Sequence, residues 1–260
     1  MKFSEVERLV KGIPFIDRVN AEALYSFIIG QNLKDCLELG FAHGVASCFM
    51  AAALDELGGG RLVSVDIESA REWQKPSIEE LLQRVGLPQY VEIHRERTGY
   101  NWYLQKLIAQ RSENDLNICE PIFDLCIIDG PKNWTIDSSA FFLVDKLLKP
   151  GGWIIFDDYY WSYASADRTR DATDGIVHRD LSDSERTTPH IRQIFNLLVM
   201  QHPDYSNFRI QEDSGWAWAQ KTDAPLSTKR VSYELSYSSR DYLSRALHKA
   251  RLALTRQRAG

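Results

Sequence analysis

Cysteine is scarce in this chain: there are four in 260 residues, and Cys36, Cys48, Cys119 and Cys126 form no C-x-x-C pair. Each lies in or beside an apolar run, so they read as reduced, mostly buried small hydrophobes, which sets aside zinc-ribbon and disulfide-stapled architectures. No run approaches the roughly 20 apolar residues that cross a bilayer, and residues 1–8 lack the apolar core of a signal peptide, so a cytoplasmic location is expected. A large charge excess is missing too. With 31 basic against 36 acidic residues the net charge is −5, which removes any overall pull toward nucleic acid or an anionic membrane. No internal repeat suggests a solenoid, and the dinucleotide fingerprint G-x-G-x-x-G does not occur where a first strand meets its helix.

What is present is ordinary globular composition, 44% hydrophobic and 26% charged, enough for one α/β domain with a real core. A helix over 19–30 stopped by Gly30, a strand over 35–39, an alanine-rich helix over 45–57 and a strand over 61–66 make a first β-α-β unit. A helix at 78–85, a strand at 90–94, a helix at 100–111 and a strand ending at Asp129 continue the alternation. The fold expected is Rossmann-like and doubly wound, with a mostly parallel seven-stranded sheet and an antiparallel C-terminal hairpin strand. The domain spans 1–222. Within it 159–189 exceeds a routine connection and reads as a substrate lid, an acceptor loop or a disordered loop. A helix over 190–201 and a hairpin, 207–211 with 215–220, close the domain. Residues 223–260 form a basic tail in which Arg240, Arg245, Lys249, Arg251, Arg256 and Arg258 accompany apolar residues at helical spacing. It suits packing on the core or on a second copy in a homodimer, and a membrane surface or nucleic acid is the alternative partner.

Two strand-like runs end in carboxylates, 123–129 at Asp129 and, after Pro150-Gly-Gly152, 153–158 at Asp157 and Asp158. As neighbouring parallel strands they would bring three acidic groups to the carboxyl edge of the sheet, where such folds bind ligands. That outlines a divalent-cation site. Lys132 stands three residues after Asp129 as a candidate proton acceptor, or as a surface lysine paired with an aspartate. Tyr159, Tyr160 and Trp161 follow the strand edge as acceptor-pocket walls or as core. His43 reads as a local hydrogen-bonding residue, whereas His178 and His190 lie near the lid.

The loop Glu38-Leu-Gly40-Phe41-Ala42-His43-Gly44 joins the first strand to its helix, where glycines let a ligand approach the backbone and helix N-terminus. Asp66, ending the second strand, could accept both hydroxyls of a ribose, or could simply close a turn. These residues resemble the first motif of class I S-adenosylmethionine-dependent methyltransferases, an acidic residue followed by x-G-x-G-x-G. Glu38, Gly40 and Gly44 match it and Ala42 departs from the middle glycine. The resemblance covers roughly 20–222, and the helix end and glycine turn at 147–153 are typical of it. It implies that Glu38, Gly40, Phe41, Gly44, Asp66 and Asp129 bind S-adenosyl-L-methionine, with 95–98 near its adenine or methionine end.

Within that family Asp129, Lys132, Asp157 and Asp158 resemble the metal-binding positions of catechol and caffeoyl-coenzyme A O-methyltransferases. The Asp-Asp-Tyr at 157–159 resembles the macrocin-type sugar enzymes, where aspartate replaces the usual asparagine. The implied activity is O-methylation of a small hydroxylated acceptor, a sugar or a catechol, with Mg2+ or another divalent cation on Asp129, Asp157 and Asp158. By that resemblance Lys132, its pKa pushed down by the cation, is the base. Competing readings are a metal-independent N- or O-methyltransferase, a non-catalytic S-adenosylmethionine-binding protein, and a nicotinamide-dependent dehydrogenase.

Overall fold

A computed structural model describes residues 1–112, 118–165 and 181–223. The chain divides into two units, Met1–Pro225 and Leu226–Gly260, and the basic tail, His178 and residues 166–180 of the expected lid lie outside the described residues.

The described unit is a seven-stranded sheet, built from β1 (Asp35–Leu39), β2 (Arg61–Ile67), β3 (Val91–Glu96), β4 (Phe123–Ile128), β5 (Leu148–Phe156), β6 (Tyr205–Gln211) and β7 (Trp216–Lys221). Its order is β3-β2-β1-β4-β5-β7-β6; the first five strands are parallel, β7 runs antiparallel beside β5, and β6 antiparallel beside β7. The expected fold is therefore present. Strand order reverses between β1 and β4, and a crevice opens at such a switch point beyond the strand ends.

Helices cover both faces. On one lie α1 (Phe3–Val10), α2 (Arg18–Gln31), α3 (Val45–Glu56) and α4 (Ile78–Val85), over Leu125, Ile127, Trp153 and Ile155. On the other, α5 (Tyr100–Arg111), α6 (Trp134–Leu147) and α8 (His190–Ile194) cover Cys126, Ile128, Ile154 and Phe156. Alternation along β4 and β5 thus feeds two cores. In α3, nine of its 12 residues are buried, as expected of a helix apolar on nearly every side.

Helix ends follow their caps. Asp17 accepts from Asn20 N at 2.8 Å to open α2, Ser77 and Glu80 form a reciprocal capping box on α4, and Asn133 accepts from Thr135 N and Ile136 N to open α6. The larger differences from the sequence reading lie at β5 and after it. β5 starts at Leu148, so Pro150–Gly152 lies within a strand whose pairing with β4 shifts register between Phe123 and Leu125. The helix expected over 190–201 is α8 followed by a π turn, Phe195–Val199, and a short α7 (Asp183–Thr187) precedes it. All four cysteines are free, three of them buried. Among the described residues no helix is long and apolar enough to cross a membrane.

Candidate active site

The ends of β1, β4, β5 and β7 meet around one cavity of about 400 Å³. Asp129, Asp157, Asp158, Glu38, Ala46 and Trp216 line it from the sheet side, and Phe15, Ile16, Asp17 and Asn20 from the N-terminal segment. The carboxylates reach it for topological reasons. Asp129 N donates to Leu39 O at 2.8 Å and Asp157 N to Ile128 O at 3.1 Å, extending the parallel ladder one residue past each strand. Gly40, at φ +90°, packs so closely on the Asp129 carbonyl that a methyl group there would overlap it.

Lys132 gathers the three aspartates. Its ammonium donates to Asp129 Oδ1 and lies 3.6 Å from Asp157 Oδ2 and 3.5 Å from Asp158 Oδ2. Lys132 and Asp158 have φ of +62° and +57°, a backbone region that side chains of this size adopt rarely. Burial would push the Lys132 ammonium down, but the charges of Asp129, Asp157 and Asp158 outweigh it and hold it above the usual lysine value. The lowered value implied by the resemblance belongs to a lysine beside a bound cation, a different surrounding. A lysine among three carboxylates holds its charge. Burial, together with the Asp157 charge, pushes Asp129 up, and burial and Asp157 do the same for Asp158.

Three carboxylates against one ammonium leave the cluster short of positive charge. The hard oxygen donors and this deficit fit a divalent cation in chemistry. Among the described residues, however, no three His, Cys, Asp or Glu side chains are set as ligands about one point, because these three converge on Lys132.

The glycine loop lies at the β1 side of the cavity. Glu38 is buried and accepts from Ser47 Oγ at 2.5 Å and Ser64 Oγ at 2.6 Å; burial pushes its carboxyl up to about 7 against those two hydrogen bonds. Gly44, at φ +88°, opens α3 in close contact with Ile78. Asp66 turns inward: Oδ2 accepts from Ala42 N at 3.0 Å, Phe41 N at 3.3 Å and Gln74 Nε2 at 3.1 Å, while Oδ1 accepts from Ile67 N at 2.7 Å. It ties down the backbone of the glycine loop at Phe41 and Ala42.

Other expected site residues take structural positions. Tyr159 is buried in the core and donates to Asn196 Oδ1 at 2.9 Å, Tyr160 is exposed, and Trp161 packs on Tyr163. None of the three lines the cavity. Aromatic residues after a strand edge can fold back into the core, as Tyr159 does beneath Phe195. His190 accepts from Trp134 N at 3.0 Å through Nδ1 and donates to Glu185 O at 2.8 Å through Nε2, so both ring nitrogens serve the fold. His43 donates from Nδ1 to Pro76 O, the local role expected of it.

The sequence reading missed Trp216. Phe156 pairs with Ala217 in antiparallel register, which sets Trp216 beside Asp157, and its Nε1 donates to Asp157 Oδ1 at 2.6 Å. The alternation of Trp216 and Trp218 with alanines was the available signal.

Residues 37–159 match the family model of a methyltransferase domain. No curated protein sequence matches the chain. Among solved structures, an O-methyltransferase of Bacillus cereus in complex with SAH is 20% identical, with a TM-score of 0.56 over 85% of this chain and 92% of that one. The O-methyltransferase TomG of Streptomyces achromogenes, involved in tomaymycin synthesis and solved with SAM, is 17% identical, with a TM-score of 0.56 over 85% and 91%. The SAH-bound methyltransferase PaMTH1 of Podospora anserina is 16% identical, with a TM-score of 0.54 over 85% and 87%. These likenesses are of fold.

Proposed function

We propose that this chain, which carries a class I, S-adenosylmethionine-dependent methyltransferase domain, moves the sulfonium methyl to an oxygen of a small hydroxylated acceptor. One observation carries the reading: three carboxylates and a charged lysine meet at the cavity wall where the sheet order reverses, one loop away from Glu38 and Gly40. Glu38, Gly40, Phe41, Gly44, Asp66 and Asp129 form the cofactor side in this reading. Asp129, Asp157, Asp158 and Lys132 form the acceptor side.

A methyl sulfonium is already a strong electrophile, so the protein has to align an oxygen behind the methyl group and manage one proton. As the new O–CH3 bond forms, the C–S bond breaks and its electron pair returns to sulfur, giving S-adenosylhomocysteine. The acceptor proton passes to a carboxylate of the cluster. The Lys132 ammonium then stabilises the developing negative charge on the acceptor oxygen, in the manner of a fixed electrostatic clamp. This assigns Lys132 a different role from the base implied by resemblance.

Magnesium or another divalent cation, if bound, would be held by Asp129, Asp157 and Asp158 and would lower the pKa of the acceptor hydroxyl as a Lewis acid. The hard oxygen donors of the three aspartates support this metal-assisted form. Turnover of methyl-labelled S-adenosylmethionine with a panel of sugars and catechols, with EDTA and then with excess magnesium, tests it. Loss of transfer with EDTA and recovery with magnesium is the expected outcome. Full activity in chelator would assign the work to the carboxylates and Lys132 alone, and transfer only to nitrogen would overturn the acceptor class.

A further inference from the structure

On the far side of the glycine loop from the carboxylate cluster, a second chain of polar side chains runs through the protein, and the transfer step above makes no use of it. The Arg95 guanidinium, at the end of β3 and only 6% exposed, holds Glu79 of α4 with two nitrogens at 2.5 and 3.0 Å. Its Nη2 also donates to Gln74 Oε1 at 3.4 Å, and Gln74 Nε2 donates to Asp66 Oδ2 at 3.1 Å. The same Asp66 oxygen accepts from the backbone nitrogens of Phe41 and Ala42. Arg95 further stacks over the Phe41 ring, 5.1 Å from its centre, so Phe41 is held by both its amide and its side chain.

The chemistry of the chain has one sense. Gln74 is 2% exposed, and only with its oxygen toward Arg95 and its nitrogen toward Asp66 does each end meet a complementary group. Ala42, at φ +47°, is a non-glycine residue in a left-handed conformation, and Asp66 holds its amide there. Arg95 Nε is buried without a partner. An arginine that leaves one donor unmet while reaching Glu79, Gln74 and the Phe41 ring is placed for that connection and not for its own hydrogen bonds.

We propose that Arg95 and Gln74 are positioning residues that set the glycine loop for S-adenosylmethionine, acting through Asp66. The inference rests on the cofactor reading above. Through this chain, α4 and β3 fix the backbone of Phe41 and Ala42, and so fix where the remaining loop amides and the start of α3 point.

Calorimetric titration of the full chain with S-adenosylhomocysteine tests it, using Arg95→Met, Gln74→Met and the double variant. Each single change weakens binding about tenfold, and the double change also weakens it about tenfold and not a hundredfold, because both cut one chain. Arg95→Lys stays weak, since a point charge cannot bridge Glu79 and Gln74 while stacking on Phe41. Should the Met variants fail to fold, Glu79→Gln changes only a half-exposed carboxylate and is expected to weaken binding about threefold. Unchanged affinity in the folded variants, or losses that multiply in the double variant, overturns the inference. A wild-type chain that does not bind S-adenosylhomocysteine overturns the cofactor reading, and this inference with it.

Discussion

Glu38 shows how far a single residue can be read before its surroundings are known. Its place in the first motif was legible because an acidic residue two before a glycine at a strand end is a local pattern. That it sits under two serine hydroxyls, from α3 and β2, was not, since Ser47 and Ser64 are brought to it only by packing. Its carboxyl is pushed up to about 7 by burial. A carboxyl whose folded pKa lies above its unfolded value of about 4.5 holds its proton more tightly when folded, so stability falls as pH rises between those values. The loss is on the order of 3 kcal/mol and is complete above pH 7. Urea unfolding from pH 4 to 8 should show Glu38→Gln losing less stability than the parent over that range; parallel curves would contradict the assignment. Lys132 gives the same lesson. Its spacing from Asp129 pointed to the site, but spacing does not say that Asp157 and Asp158 also face it, at 3.6 and 3.5 Å.

At the scale of elements, strands were easier to read than the loops they end in. β1, β2, β4 and β5 contain apolar runs bounded by turns, and Asp129 and Asp157 follow from counting along β4 and β5. Phe15, Ile16 and Asn20 were not legible as cavity residues, because nothing local says that the segment before α2 and its first turn lie over the sheet edge. The C-terminal hairpin was read as a hairpin, but its insertion beside β5 decides that Trp216 meets Asp157. Trp216→Phe keeps an aromatic wall and removes the one indole N–H that orients Asp157. Methyl transfer should fall about tenfold while S-adenosylhomocysteine affinity is unchanged. Initial rates paired with calorimetry check this, and equal rates would reduce Trp216 to packing.

For the whole molecule, the doubly wound order was legible because alternating strands and helices leave few topologies for a parallel sheet. The switch point between β1 and β4 then brings the glycine loop and Asp129 to one crevice, which no single motif states. Among the described residues the last strand of the sheet ends at Lys221, and Met1–Pro225 forms a unit of its own. A chain ended after Pro225 should therefore melt within about 2 °C of the full chain and bind S-adenosylhomocysteine as tightly. A large drop in melting temperature would show that the basic tail contributes to the fold. The central claim, oxygen methylation at the carboxylate cluster, is tested most directly by the rate of labelled methyl transfer to a hydroxylated acceptor in Asp129→Asn and Asp157→Asn. Both should fall about a hundredfold, with the folded chain and, in Asp157→Asn, cofactor affinity retained; transfer at the parent rate in both variants would contradict the account.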